Sequence, residues 1–249
     1  MKILCTLDDR FDALAGYPFE PRYVEVDAGD DSPLRIHYLD EGPSDGEVVL
    51  LLHGEPSWSY LYRRMIPVLA AAGLRAVAID LVGFGRSDKP ADRGDYTYQA
   101  HVDWTWAAIE TIDLDGITLV GQDWGGLIGL RLVGEHPDPF ARVVAANTFP
   151  AHRGPPPRRR LLGLAALQPR HPRLPRRRDL KGGCVTDLDP EVIAAYDAPF
   201  PDDSYTAGRP PVPHARAHEP RRPGRAGQPG RLGVPAPLLA AVPVRLLRL

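Results

Sequence analysis

The strongest constraint on this chain is a series of short apolar runs that do not alternate with polar residues. Val48–Leu52, Ala76–Ile79, Ile117–Val120 and Val143–Ala146 are each four or five residues long. Strands of that texture are buried on both faces, which is the signature of a parallel sheet covered by helices rather than of an antiparallel sheet open to water. Helical stretches separate them, over about 60–72 (closed by Gly73), 98–112 and 127–133. Leu34, Ile36 and Tyr38 alternate with Arg35 and His37 and predict one half-buried strand before the series begins. Strands alternating with helices place the first 150 residues in the α/β class, with a mostly parallel sheet and helices on both faces. No internal repeat is present.

The pattern stops near Pro150. Residues 151–180 hold nine Arg, six Pro and one acidic residue, a local charge of +8; residues 209–249 hold eight Arg, nine Pro and one acidic residue, +7. The remainder carries −17, so the formal net charge of −2 is a cancellation between two kinds of sequence. Proline at this density excludes regular helices and central strands, and prolines 235, 237 and 243 argue against a terminal core helix or membrane anchor in 232–249. Between the two tracts, 181–208 regains acidic and aromatic residues and predicts a helix after Pro190. The organisation expected is a core half at 1–150, a cap region at 151–208 with 151–180 out of pattern, and an anomalous segment at 209–249.

Cys5 and Cys184 are far apart in sequence and form neither a disulfide framework nor a metal-type spacing, so they are expected to be free, small packing residues. The apolar stretch at the N-terminus is too short for a signal peptide, and no run approaches the length of a membrane span. A cytoplasmic protein is expected.

Chemistry concentrates at Gly121-Gln122-Asp123-Trp124-Gly125, between a buried strand and a helix. This is the G-x-S-x-G nucleophile-elbow spacing with Asp in place of Ser. A sharp strand-to-helix turn presents the central side chain at the carboxyl end of the sheet, and the helix aims its first N–H groups at it. A carboxylate is ionised at neutral pH and needs no base to activate it. It is suited to displacing a leaving group from saturated carbon to form an ester, which a His-activated water then cleaves. The competing reading of Asp123 is a helix N-cap. A second loop, His53-Gly54-Glu55-Pro56, follows the Val48–Leu52 strand and occupies the position that supplies an oxyanion N–H in elbow hydrolases. The backbone N–H groups of Glu55 and Trp124 are the expected donors. His53 precedes the nucleophile in the chain and reads as a structural histidine. Gly83-Phe84-Gly85-Arg86-Ser87 lacks the residues of a phosphate loop and reads as a turn, with Asp80 and Asp88 capping it.

The loops HGEPSWSYLYRRM (53–65), DLVGFGRSDKP (80–90) and GQDWGGLIGLR (121–131) together resemble the haloalkane dehalogenases of the α/β-hydrolase superfamily. The opening segments FDALAGYPFEPRYVEV and LRIHYLDEGP and the stretch 182–208 are similar to that family as well, the latter to the end of its helical cap. The resemblance implies hydrolytic cleavage of a carbon–halogen bond through an aspartyl ester, on a halogenated alkane. Asp123 would be the nucleophile and Trp124 the donor that holds the leaving halide. No metal, cofactor, nucleic-acid or membrane partner is implied, and a monomer is expected. An epoxide-hydrolase-like enzyme is the nearest alternative; a non-catalytic Arg-rich binding protein is the alternative of another class, disfavoured because the basic tracts lack interleaved aromatics.

Three family elements do not appear in the sequence. All four tryptophans precede residue 125, so none supplies a halide donor from the cap. Asn147 stands where some members carry the triad acid, and 209–249 contains no Asp. Only His214 and His218 are available as a C-terminal histidine, with no recognisable strand before them. Turnover is therefore expected to be poor. Abrupt Arg/Pro enrichment with loss of aromatic and acidic residues, followed by a return of family-like sequence, is the mark of out-of-register translation in the two tracts.

Overall fold

The structure, a computed structural model, describes residues 1–29, 32–148, 184 and 187–206, together with the backbone of 244–247. In chain order the strands are β1 (Ile3–Leu4), β2 (Arg22–Asp27), β3 (Pro33–Glu41), β4 (Val48–Leu52), β5 (Arg75–Ile79), β6 (Lys89–Pro90), β7 (Ile117–Gln122), β8 (Phe140–Ala146) and β9 (Val244–Leu247). The helices are α1 (Ile66–Ala71), α2 (Tyr98–Ile112), α3 (Trp124–Glu135) and α4 (Pro190–Asp197). Seven strands form one sheet in the order β2-β3-β5-β4-β7-β8-β9. The β2–β3 and β3–β5 pairs are antiparallel; β5–β4, β4–β7, β7–β8 and β8–β9 are parallel.

β4 lies at the centre, and all five of its residues are buried. Its register aligns Leu52 with Ile79 of β5 on one side and Gly121 of β7 on the other, so three strands end at one level. From β4 the chain crosses by α1 to β5; from β5 it crosses back by α2 to β7, on the far side of β4. Parallel crossovers are right-handed, so this reversal puts α1 and α2 on opposite faces of the sheet. It also sends the loop after β4 and the loop after β7 in opposite directions. A crevice at the carboxyl ends of two strands whose connections diverge is the usual ligand site of an open α/β sheet. Here the two loops that flank it are His53–Pro56 and the Asp123 elbow.

The predicted helix over 60–72 is shorter in the structure. A 3-10 turn at Ser59–Tyr62 comes first and α1 starts only at Ile66. Pro67 lies in the first turn of α1, where its missing N–H costs nothing, but it could not have donated to residue 63 in one continuous helix. The Tyr60 and Tyr62 hydroxyls donate to the Ala15 and Leu52 carbonyls, which fixes the 3-10 turn separately. The strand β2, not anticipated from the sequence, pairs with β3 along its whole length from Arg22↔Tyr38 to Asp27↔Pro33. β9, also unexpected in a Pro/Arg segment, aligns Val244–Leu247 with Val143–Ala146; Pro243 precedes it and leaves four residues with N–H groups free to pair.

The helix expected after Pro190 is α4, and its segment is bound to the N-terminal region by long-range hydrogen bonds. The Trp58 indole N–H donates to the Ala195 carbonyl at 3.2 Å, the Thr6 hydroxyl to Pro199 at 2.7 Å, and Arg10 to Ala198 at 3.3 Å. Tyr196 packs edge-on against Tyr60. Cys5 and Cys184 are free, as expected, but both are exposed rather than packed. The Cys5 thiol donates to Asp88 at 2.7 Å on the short β1–β6 ribbon, and burial is the largest cause that raises its pKa. Residues 151–180, His214 and His218 lie outside the described residues.

Candidate active site

Asp123 stands between β7 and α3 with φ 53 and ψ −117. A non-glycine residue at positive φ is strained by about 1–3 kcal/mol and is kept only where its surroundings impose it. They do so here. The Asp123 N–H donates to the Ala146 carbonyl at 3.3 Å, and its carbonyl accepts from Gly126 and Leu127, each at 3.1 Å. The first turn of α3 is pressed against the sheet so closely that a Cβ on Gly125 would collide with the Leu52 and His53 backbone.

The carboxylate itself does not cap α3; it makes no side-chain hydrogen bond of that kind. Its Oδ1 accepts from the Glu55 N–H at 3.0 Å, across the crevice from the loop after β4. Burial raises its pKa, and backbone hydrogen bonds from Trp124 and Glu55 oppose the rise by stabilising the anion. An anion bonded by two preplaced N–H groups, at the mouth of a switch-point crevice, is arranged to react at its remaining lone pairs. The N-cap reading of Asp123 does not describe this geometry.

Trp124 is buried, with its ring tilted against Tyr98 and His101 at centroid distances of 6.4 and 6.1 Å. The indole N–H groups of Trp58 and Trp104 are spent on the Ala195 and Ala28 carbonyls. That of Trp124 is given to no acceptor among the described residues. An indole N–H is a donor only, so it is available to an anion.

His53 is structural, as its place in the chain suggested. It is fully buried; Nδ1–H donates to the Gly54 carbonyl and Nε2 accepts from the Leu81 N–H, both at 3.0 Å, and burial lowers its pKa. Asp80 and Asp88 organise the loop over 80–90. Asp80 is fully buried and accepts from the Ser59 N–H at 2.7 Å, the Arg86 N–H at 2.9 Å and His37 Nδ1 at 2.7 Å. Burial alone would raise its pKa, but the facing His37 and these hydrogen bonds bring it down to about 2. Asp88 accepts from the Arg35 N–H and the Cys5 thiol.

Two participants were not anticipated from sequence. His101 on α2 is fully buried beside Trp124, and desolvation lowers its pKa to about 4. Its spacing within an apolar helical face gave it no signal distinct from a core residue. Thr148 donates its hydroxyl to the Asp123 carbonyl at 2.7 Å. Asn147, just before it, takes φ 47. Of the four described histidines, His37 is tied to Asp80, His53 to backbone, His136 stacks on Trp106 at 3.8 Å, and His101 has no acidic hydrogen-bond partner. No group of three His, Cys, Asp or Glu side chains that could hold a metal occurs among the described residues.

An aspartate on a strand–helix elbow, its carboxylate bonded to an N–H from the loop after the central strand of a mostly parallel sheet, has the architecture of an α/β-hydrolase. The alpha/beta hydrolase fold family matches residues 47–177, reaching into the tract that composition set apart. The chain is 55% identical over 208 residues to the haloalkane dehalogenase of Psychrobacter cryohalolentis, covering 84% of this chain and 69% of that one. It is 53% identical over 209 residues to the haloalkane dehalogenase of Mycobacterium marinum, covering 84% and 70%. Among solved structures, the tetrameric haloalkane dehalogenase DpaA of Paraglaciecola agarilytica superposes with a TM-score of 0.77 at 40% identity, over 84% of this chain and 69% of that one. An epoxide hydrolase variant from Vigna radiata superposes at 0.50 with 34% identity, over 62% of this chain and 45% of that one. The chain belongs to the haloalkane dehalogenase family.

Proposed function

We propose that this chain performs the first half of haloalkane hydrolysis. A carboxylate oxygen of Asp123 attacks the halogen-bearing carbon and forms an alkyl ester, while the carbon–halogen pair leaves with the halogen as halide. The negative charge passes from the carboxylate to the halide, and the Trp124 indole N–H receives it. The Glu55 and Trp124 backbone N–H groups hold the carboxylate in place. They would receive the charge again when water attacks the ester carbonyl. That second step yields alcohol and a proton and restores Asp123. The observation that carries the reading is the strained, uncapped Asp123 carboxylate bonded to Glu55 N–H at 3.0 Å.

The second step needs a base to activate water, and no described histidine stands in that role. The alkyl ester therefore accumulates. The ligand is a small halogenated alkane. Nucleic acid and membranes are not partners, the site needs no cofactor, and the chain acts as a cytoplasmic monomer. No helix among the described residues is long and apolar enough to cross a membrane. Tracts 151–180 and 209–249 remain out-of-register translation in this reading, which the nucleotide sequence tests. Intact-mass measurement after incubation with a bromoalkane should show the chain heavier by one alkyl group, lost in Asp123→Asn. Sustained multi-turnover bromide release would overturn the single-step reading, and an unmodified mass would overturn the activity itself.

A further inference from the structure

The nucleophile is held by two strands that do different things. From the β4 side, the Glu55 N–H reaches the carboxylate. From the β8 side, both backbone groups of the same residue are held: its N–H by the Ala146 carbonyl at 3.3 Å, and its carbonyl by the Thr148 hydroxyl at 2.7 Å. The Thr148 bond is the shorter, and it adds to two helix bonds already made by that carbonyl, from Gly126 and Leu127. Thr148 also covers the first turn of α3, because a Cβ on Gly126 would collide with its side chain. Gly121, two residues before the nucleophile, has no room for a Cβ either, which would stand 2.7 Å from the Gly126 Cα. The elbow is thus closed from both sides, and its positive φ at Asp123 is imposed from outside rather than preferred by the residue.

We infer that Thr148 is a positioning residue for the nucleophile: its hydroxyl, clamped on the Asp123 carbonyl, fixes the elbow peptide so that the carboxylate faces both the Glu55 N–H and the incoming carbon. The inference rests on the proposed alkylation of Asp123 for its chemical consequence, and on hydrogen-bond geometry alone for its structural one. Thr148 touches neither substrate nor the reacting oxygens. A side-chain hydroxyl is needed, and its methyl group is not.

Thr148→Val removes the hydroxyl at nearly constant volume, and Thr148→Ser keeps it. Single-turnover alkylation by a bromoalkane, followed by intact mass, should be about tenfold slower at saturation in Thr148→Val, the effect of one hydrogen bond. Half-saturation should be unchanged, and Thr148→Ser should restore the rate. Amide hydrogen exchange over 121–127 should quicken in Thr148→Val and return in Thr148→Ser, whether or not the chain alkylates. Thr148→Ala serves the same comparison if the valine variant does not fold. Unchanged exchange, or alkylation by Thr148→Val at the rate of the parent chain, overturns the inference. Altered exchange in a chain that never alkylates leaves the clamp standing and overturns the activity.

Discussion

Gly54→Ala isolates the carboxylate from the rest of the fold. An alanine Cβ at position 54 would stand 2.7 Å from the Asp123 Cγ and closer still to Oδ1 and Cβ. Carbon atoms in contact sit about 3.5–4.0 Å apart, so the carboxylate must retreat by about 1 Å. The Glu55 N–H to Oδ1 bond, now 3.0 Å, then stretches beyond hydrogen-bond length. A misplacement of about 1 Å at a reacting group costs about 100-fold in rate. Gly54 does not have positive φ, so the backbone itself accepts alanine. The matched control is Gly116→Ala: φ is 60 there, with no atom within 4 Å of the new Cβ. It should lower stability by about 1 kcal/mol through backbone strain, or about 2–4 °C in the melting midpoint, and leave alkylation unchanged. The assay is the rate of mass increase with a bromoalkane at saturation, beside a circular-dichroism melt of each variant. Gly54→Ala alkylating at the parent rate, while folded, would refute the claim that Glu55 N–H and Asp123 must meet.

Trp124→Phe keeps the buried ring and removes the indole N–H; alkylation should slow by roughly 100-fold, the usual scale for losing one donor to developing charge, and quenching of that tryptophan's fluorescence by bromide should disappear. His101 makes stability depend on pH in a defined window. Its folded pKa is about 4 against 6.5 for an unperturbed imidazole, so the unfolded chain binds the extra proton between those values. Stability should rise with pH across that window, by up to about 3 kcal/mol from this residue, and His101→Phe should flatten the rise in urea titrations taken from pH 4 to 7. An equal slope in both proteins would mean that the histidine is solvated.

What could be read from sequence follows from how local each signal is. The all-apolar β4, the apolar run Ala76–Ile79 of β5 and the Gly-flanked Asp123 are set by residues within a few positions, and the structure puts them at the switch point of a parallel sheet. Capping illustrates the same locality: α2 begins at Tyr98, after Thr97, whose hydroxyl accepts from the Ala100 N–H at 3.0 Å. Apart from the 60–72 helix, which the local Pro67 shortens, the misses are long-range. β2 becomes a strand by pairing with β3, since its own pattern of charged and apolar residues is ambiguous. Cys5 is exposed just after β1, a two-residue strand of a separate two-stranded ribbon, and nothing near it in sequence says so. Thr148 lies 25 residues from Asp123, and its role exists only because β7 and β8 are neighbours. Trp124 sits between these cases. Its place after Asp123 was legible, but its free donor could be recognised only by seeing where Trp58 and Trp104 spend theirs.

The same locality underlies the proposed separation of the two halves of the reaction. The groups seen to hold Asp123 all come from residues 53–148: the Glu55 N–H, the elbow itself, the Ala146 carbonyl and the Thr148 hydroxyl. Those groups lie at or just beyond the carboxyl ends of β4, β7 and β8, which are neighbours in the sheet through the β4–β7 and β7–β8 pairs, with β9 flanking β8 on its other side. In the proposed reading ester formation needs no base, because a carboxylate is nucleophilic as the anion, and the Trp124 indole N–H receives the halide. Ester hydrolysis does require one, since water is not nucleophilic enough unaided. Of the four described histidines, His37, His53 and His101 are buried, and His136 stacks on Trp106. On the proposed reading, sequence change after residue 148 would abolish release of the product while leaving its capture intact. A chain that alkylates once and stops would show that the elbow and its two strands are a self-sufficient half of the active site.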